Sequence, residues 1–231
     1  MKLLTINIIN SCNYSCSYCP IPEKYKVPID TDRKDVNCLD LKSLVEWVII
    51  NFNSKDTIIE IIGGEPTLVK WLNDFIEIIC FHEFKVILKT NGSGFVTKRK
   101  GLTIVSAWHK DQPFPIYYDV ICIIRNPDDD WQTKERYCIE NKILYKIVEF
   151  NEIPHGENRD KEANGELKIF NKIVHVNSSG QITMCSRMKP NPDITIWNSI
   201  PTDGISMRTP CNRCKNVYDV EVFINKENEN E

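Results

Sequence analysis

Lys2-Leu3-Leu4-Thr5-Ile6-Asn7-Ile8-Ile9-Asn10-Ser11-Cys12-Asn13-Tyr14-Ser15-Cys16-Ser17-Tyr18-Cys19-Pro20 sets a short apolar run directly before three closely spaced cysteines. Lys2 to Ile9 reads as a strand buried in a parallel sheet. The cysteines then fall on the loop at its carboxyl end, where parallel α/β folds bind their ligands. Three thiols spaced this way on one loop can converge on a single metal centre. They are one too few for a closed tetrahedral zinc site or a four-cysteine iron–sulfur cluster, so one metal keeps an open valence.

Outward from that loop, strands and helices alternate. Asp40 caps a predicted helix to Phe52, with Leu41, Leu44, Val45 and Val48 on one face. Ile58 to Ile62 is an apolar strand ending in Gly63-Gly64, followed by a helix over Lys70 to Phe81. Further strands are predicted at Lys85–Lys89, which runs into Thr90-Asn91-Gly92, and at Thr103–Ala107, Tyr117–Ile124 and Ile143–Phe150. Asp128, Asp129 and Asp130 open a helix to Glu140, where carboxylates suit the N-terminal dipole and read as a cap, not a metal site. Alternating elements of this kind indicate an α/β fold with a parallel sheet. Six strands are too few for an eight-stranded barrel, so a partial (β/α)6 barrel is expected. The fourth and fifth strands lie too close for a crossover helix, and a loop around Pro113 and Pro115 is expected in its place.

Three segments are expected: a core over 1–152, a small C-terminal cysteine-containing extension over 153–224, and a frayed tail over 225–231. In the second, Lys168–Val176 and Gln181–Met184 read as a hairpin around Ser178-Ser179-Gly180. The 231 residues are 42% hydrophobic and 26% charged, ordinary for a soluble globular protein. Lys plus Arg (29) against Asp plus Glu (32) gives a net charge of −3 with no basic stripe, which disfavours duplex nucleic acid as a partner. Met1 to Asn10 is too short to span a membrane and lacks the features of a signal peptide. A cytoplasmic, reducing location is expected, where clustered thiols point to metal and not to disulfides. Cys38, Cys80, Cys122 and Cys138 stand alone and read as small buried hydrophobes.

The Cys12/Cys16/Cys19 loop after a first strand, with Gly63-Gly64-Glu65-Pro66 after another, resembles the radical SAM superfamily. The resemblance implies a [4Fe–4S] cluster on the three cysteines, with S-adenosylmethionine (SAM) chelated by the fourth iron. It implies reductive cleavage of SAM to a 5′-deoxyadenosyl radical, which abstracts hydrogen from a substrate. By the same resemblance Gly63 and Gly64 let the backbone approach SAM and Glu65 accepts from its ammonium. Thr90, Asn91 and Ser106 are candidates for the ribose or carboxylate, and Tyr18 for the aromatic near the adenine. His109, just past the fourth strand, is a candidate substrate contact or proton donor, with a plain surface histidine as the alternative.

Cys185, Cys211 and Cys214 resemble the twitch or SPASM extension of radical SAM enzymes, which binds an auxiliary cluster. The earlier cysteine usual in that pattern is missing from Gly165–Asn171. Three readings stay open: a second [4Fe–4S] cluster with three cysteines and an open iron, one with His175 as fourth ligand, or structural zinc. The resemblance implies a peptide or small-molecule substrate and an external one-electron reductant such as flavodoxin or ferredoxin. A separate leader-recognition domain is expected to be absent, because the chain starts at the first strand. A nucleoside- or nucleotide-modifying enzyme, a glycyl-radical activase and a non-catalytic metal-stabilised binding module are the alternatives.

Overall fold

The computed structural model describes residues 2–16, 19, 39–149, 167–169, 173–183, 196 and 206–208. In chain order the elements begin with β1 (Lys2–Asn7), α1 (Leu41–Asn51), β2 (Thr57–Ile62), α2 (Leu72–Phe81) and β3 (Lys85–Thr90). They continue with β4 (Leu102–Trp108), β5 (Val120–Arg125), α3 (Trp131–Glu140) and β6 (Tyr145–Glu149). Short strands follow: β7 (Leu167–Ile169), β8 (Ile173–Val176), β9 (Ile182–Thr183) and β10 (Ser206–Arg208).

One sheet runs in the order β6-β5-β4-β3-β2-β1-β8-β9. All its neighbouring pairs are parallel except β8–β9, so seven strands share one direction. The expected six-strand α/β core is present and open. To it the segment beyond 153 adds β8 against β1, with Thr5 opposite His175. The expected hairpin forms as β8–β9, and β7 pairs separately with β10.

The two faces of the sheet differ. Leu4, Ile6, Ile59, Ile61, Val86, Leu88 and Ile104 pack on one side against Leu44, Trp47 and Val48 of α1 and Phe75, Ile76 and Ile79 of α2. Alternation sends Ile58, Ile87, Val105 and Val120 to the other face, where they form a smaller apolar cluster with Leu3 and Cys122. Asp40 caps α1 by accepting the Ser43 N–H at 2.8 Å, as expected. The fifth strand starts at Val120 and not at Tyr117, because Asp119 is committed to β4: its carboxylate accepts the Ile104 N–H at 2.7 Å. The last helix starts at Trp131, with Asp130 as its cap.

The β4–β5 connection is the helix-free loop expected. Residues 91–101, between β3 and β4, also lack a helix, which the sequence reading did not anticipate. Prolines at 113 and 115 explain the first by removing donors and restricting their predecessors. Aromatic rings take over the missing helix's cover: Phe114 lies 5.0 Å from Trp108 and 5.2 Å from Tyr118, over Ile121 and Ile123. No helix among the described residues is long and apolar enough to cross a membrane.

Candidate active site

The hydrogen-bond ladder of β1 and β2 continues past both strand ends. Ile8 donates its N–H to Ile62 at 2.9 Å, Gly64 to Ile9 at 2.7 Å and Glu65 to Ser11 at 2.8 Å. The cysteine loop is thereby zipped to Gly63-Gly64-Glu65. A Cβ on Gly64 would lie 2.0 Å from the Ser11 carbonyl oxygen, and one on Gly63 2.5 Å from that of Ile9. Glycine is required here by the close approach of the cysteine loop itself. The approach to SAM expected of these glycines is a separate matter from that contact.

Glu65 is fully buried. Its Oε1 accepts the Thr67 N–H at 3.0 Å and the hydroxyls of Thr67 and Thr90 at 2.6 Å each, and Oε2 accepts the Asn91 N–H at 2.7 Å. An ionised carboxylate offers about four acceptor positions, so these donors match its capacity. Glu65 braces the end of β3 against the turn after β2, and Thr90 belongs to the same brace. Asn91 faces the cysteines: its Nδ2 donates to Asn13 Oδ1 at 2.9 Å and lies 3.9 Å from Cys12 Sγ. Asn13 in turn donates to Ser93 at 2.9 Å. Ser106 is buried and donates to the Tyr117 carbonyl, directing its hydroxyl at the β4–β5 loop. Asn13, Ser93 and Thr67 were missed in the sequence, where nothing marks them beyond being polar loop residues. Tyr18 lies outside the described residues.

Burial pushes the Cys12 thiol up to about 11; the Tyr14 backbone N–H, 3.4 Å from the sulfur, opposes this, while Glu65, Cys19 and Cys16 push it further up. Bare thiolates are disfavoured in such a setting, whereas a bound metal deprotonates coordinating thiols outright. Among the described residues no three His, Cys, Asp or Glu side chains enclose a single ion. Asn7 Oδ1 and Ser11 Oγ, beside the Gly63-Gly64 junction, are buried without a hydrogen-bond partner in the described structure. The buried Cys12 thiol, close to Cys16 and Cys19 on the same loop, and the buried oxygens of Asn7 and Ser11 fit an iron–sulfur cluster with a polar ligand beside it.

His109, immediately after β4, brings Nδ1 to 3.4 Å from Cys16 Sγ and meets the Tyr14 ring edge-on at 5.8 Å. Burial, helped by the Lys134 ammonium and opposed by Asp129, lowers its pKa to about 4, so it is neutral at pH 7. Cys138 is fully buried, as expected, while Cys80 and Cys122 are half-buried.

On the face opposite the helices a polar layer crosses the strands. Glu60 Oε2 accepts from Thr5 at 3.1 Å and Oε1 pairs with Lys89 at 2.5 Å. Burial opposes ionisation of Glu60, but Lys89, Thr5 and Lys146 together outweigh it and hold the carboxyl below its usual range. His175 belongs to this layer: it is 4% exposed, burial drives its pKa down to about 4, and Glu60 partly opposes that. A lone glutamate inside Ile58-Ile59-Glu60-Ile61-Ile62 was the available sequence signal for this layer. Cys185, Cys211 and Cys214 lie outside the described residues, as does Cys38.

Residues 6–99 match the radical SAM superfamily. GTP 3′,8-cyclase from Campylobacter jejuni subsp. doylei is 34% identical over 98 residues, covering 42% of this chain and 29% of that relative. The GTP 3′,8-cyclase of Helicobacter pylori is 32% identical over 101 residues, covering 43% and 30%. The chain thus aligns with under a third of the length of either relative. Among solved structures, Streptococcus suis SuiB bound to S-adenosylmethionine superposes with a TM-score of 0.54 at 17% identity, over 80% of this chain and 60% of that one. Native anSMEcpe with bound AdoMet gives 0.50 at 14% identity, over 81% and 75%. These two likenesses establish the fold.

Proposed function

We propose that the chain is an enzyme that cleaves SAM reductively and abstracts hydrogen from a peptide or small-molecule substrate. The observation that carries this reading is the double anchoring of the cysteine loop. Backbone bonds hold it to Gly64 and Glu65, and Asn91 holds it from β3, at the carboxyl ends of parallel strands. When bound, the [4Fe–4S] cluster and SAM supply one-electron chemistry ending in a 5′-deoxyadenosyl radical. Cys12, Cys16 and Cys19 would ligate three irons. Asn7 Oδ1, Ser11 Oγ and the backbone around Gly63 offer acceptors to the SAM ammonium, and Glu65 supports them from behind. The polar layer of Thr5, Glu60, Lys89 and Lys146 lies on the same sheet face as Asn91, with Lys89 two residues before it, about 7 Å along the strand. That layer is the wall a substrate would meet.

A nucleotide substrate is the second reading, favoured by the name of the curated relatives, GTP 3′,8-cyclase. An external one-electron reductant is required in either case. A second cluster on Cys185, Cys211 and Cys214, with His175 as a possible ligand, stays assigned by sequence pattern alone.

The test is anaerobic reconstitution, reduction with dithionite, and chromatography of 5′-deoxyadenosine formed from SAM by the parent and Cys16→Ala. The parent is expected to form it and the variant not to. No 5′-deoxyadenosine from iron-loaded parent contradicts the proposal. Added GTP or peptide pools that raise turnover then separate the two substrate readings.

A further inference from the structure

The helix-free connection after β4 does more than close the sheet. Trp108, the last residue of β4, is fixed on every side. Its ring sits 5.0 Å from Phe114 and 5.6 Å from Tyr137, and its indole N–H donates to the Gln112 carbonyl at 3.2 Å. Its own carbonyl accepts from Lys134 Nζ at 3.2 Å, and that ammonium is held by Asp129 at 2.6 Å. Gln112 returns its N–H to the His109 carbonyl at 3.4 Å, closing a turn in which Asp111 takes a φ of 58°. His109 therefore leaves a rigid support, not a free loop. Its imidazole ends between two residues of the cysteine loop, edge-on to Tyr14 and 3.4 Å from the Cys16 sulfur.

An iron-bound thiolate can only accept a hydrogen bond. A contact at this distance, within the reach of N–H to sulfur, therefore requires the proton on Nδ1. Hydrogen bonds to ligand sulfurs withdraw electron density and are among the main determinants of cluster potential. We infer that His109 donates Nδ1–H to the Cys16 sulfur of the assembled cluster and raises its reduction potential, acting as a positioning residue and not as a proton donor to substrate. This rests on the reading of Cys12, Cys16 and Cys19 as cluster ligands.

The experiment is a redox titration of the anaerobically reconstituted holoenzyme, followed by the EPR signal of the reduced cluster. His109→Phe keeps the ring and its edge contact with Tyr14 but has no donor. His109→Asn restores an N–H near the position of Nδ1. The midpoint is expected to fall to more negative potential in the Phe variant and to return toward the parent in the Asn variant, with iron content unchanged in both. The parent carries its own readout should the Phe variant fold poorly. With histidines labelled with 15N, its reduced cluster is expected to show a weak coupling to a histidine nitrogen, transmitted through sulfur. Equal midpoints in parent and Phe variant overturn the inference, as does the absence of any such coupling. A strong coupling from a metal-bound nitrogen also overturns it, because His109 would then be a ligand. Failure of the parent to take up iron is a different result: it removes the cluster reading itself, and this inference with it.

Discussion

Asn91 joins the two halves of the site: its backbone N–H donates to Glu65 at 2.7 Å, while its side chain reaches Asn13 and lies 3.9 Å from the Cys12 sulfur. Glu65 therefore acts on the cysteine loop at one remove. The glutamate fixes the end of β3, and the end of β3 fixes the loop.

Replacing Glu65 separates bracing from SAM binding. Glu65→Gln exchanges an acceptor oxygen for a donor group among four existing donors, and leaving one buried donor unmatched costs about 1–3 kcal/mol. Urea unfolding of the apoprotein should register that loss before any SAM is added, and iron uptake should fall with it. A variant as stable as the parent but weak in SAM binding would instead point to direct contact with the ammonium.

Gly64→Ala tests the zipped loop. A methyl placed 2.0 Å from the Ser11 carbonyl must displace backbone on one side or the other. Overpacking of this kind costs about 1–3 kcal/mol. The expected outcome is a lower Tm together with loss of bound iron per chain. Unchanged iron content would mean that the loop does not depend on this contact.

Much of this arrangement was legible in the sequence, for local reasons. The strands announce themselves as apolar runs ending in Gly63-Gly64 or Thr90-Asn91, and Asp40 and Asp130 carry the chemistry of helix caps. What escaped notice depends on approach across space. Nothing near Glu65 in the chain signals that Thr90 and Asn91 will saturate it, because those donors arrive from the next strand. His109 stood out as a candidate substrate contact or proton donor, but its contact with the Cys16 sulfur was not legible, because the two residues meet only across space. The helix-free link between β3 and β4 was not foreseen because Thr90-Asn91-Gly92 was read as a strand end and nothing was assigned between it and Thr103.

Acid should weaken the fold in two stages. His175 has a folded pKa of about 4 against the usual 6.5, so between those values the unfolded chain binds a proton that the folded chain refuses. Stability is then unaffected above pH 6.5 and declines below it, by up to about 3 kcal/mol at roughly 1.36 kcal/mol per pKa unit. His109 contributes in the same direction. Glu60, held below its usual 4.5, adds stability that is present above that value and lost as pH falls through its folded pKa. Unfolding free energies from pH 8 to 4 should show the decline, and His175→Gln should make it shallower, leaving the parts due to His109 and Glu60; a flat parent profile contradicts the burial argument.

Asp129 and Lys134 form a nearly buried pair, with side chains 6% and 10% exposed and 2.6 Å between charges. Removing one partner strands the other, and breaking a buried pair costs about 3–5 kcal/mol. Asp129→Asn is expected to lower stability by an amount of that order in chemical denaturation. Magnesium or calcium should leave the Tm of the parent unmoved, because Asp129 is engaged with lysine and Asp130 caps α3. A metal-dependent rise in Tm would reassign the acidic run.

The central claim is that Cys12, Cys16 and Cys19 hold an iron–sulfur cluster, and iron and sulfide analysis after anaerobic reconstitution tests it most directly. The parent and the triple variant Cys12→Ala/Cys16→Ala/Cys19→Ala are compared side by side. The account predicts a difference of about four irons per chain, the content of one [4Fe–4S] cluster. Equal iron in the two proteins, or stoichiometric zinc alone in the parent, would contradict it.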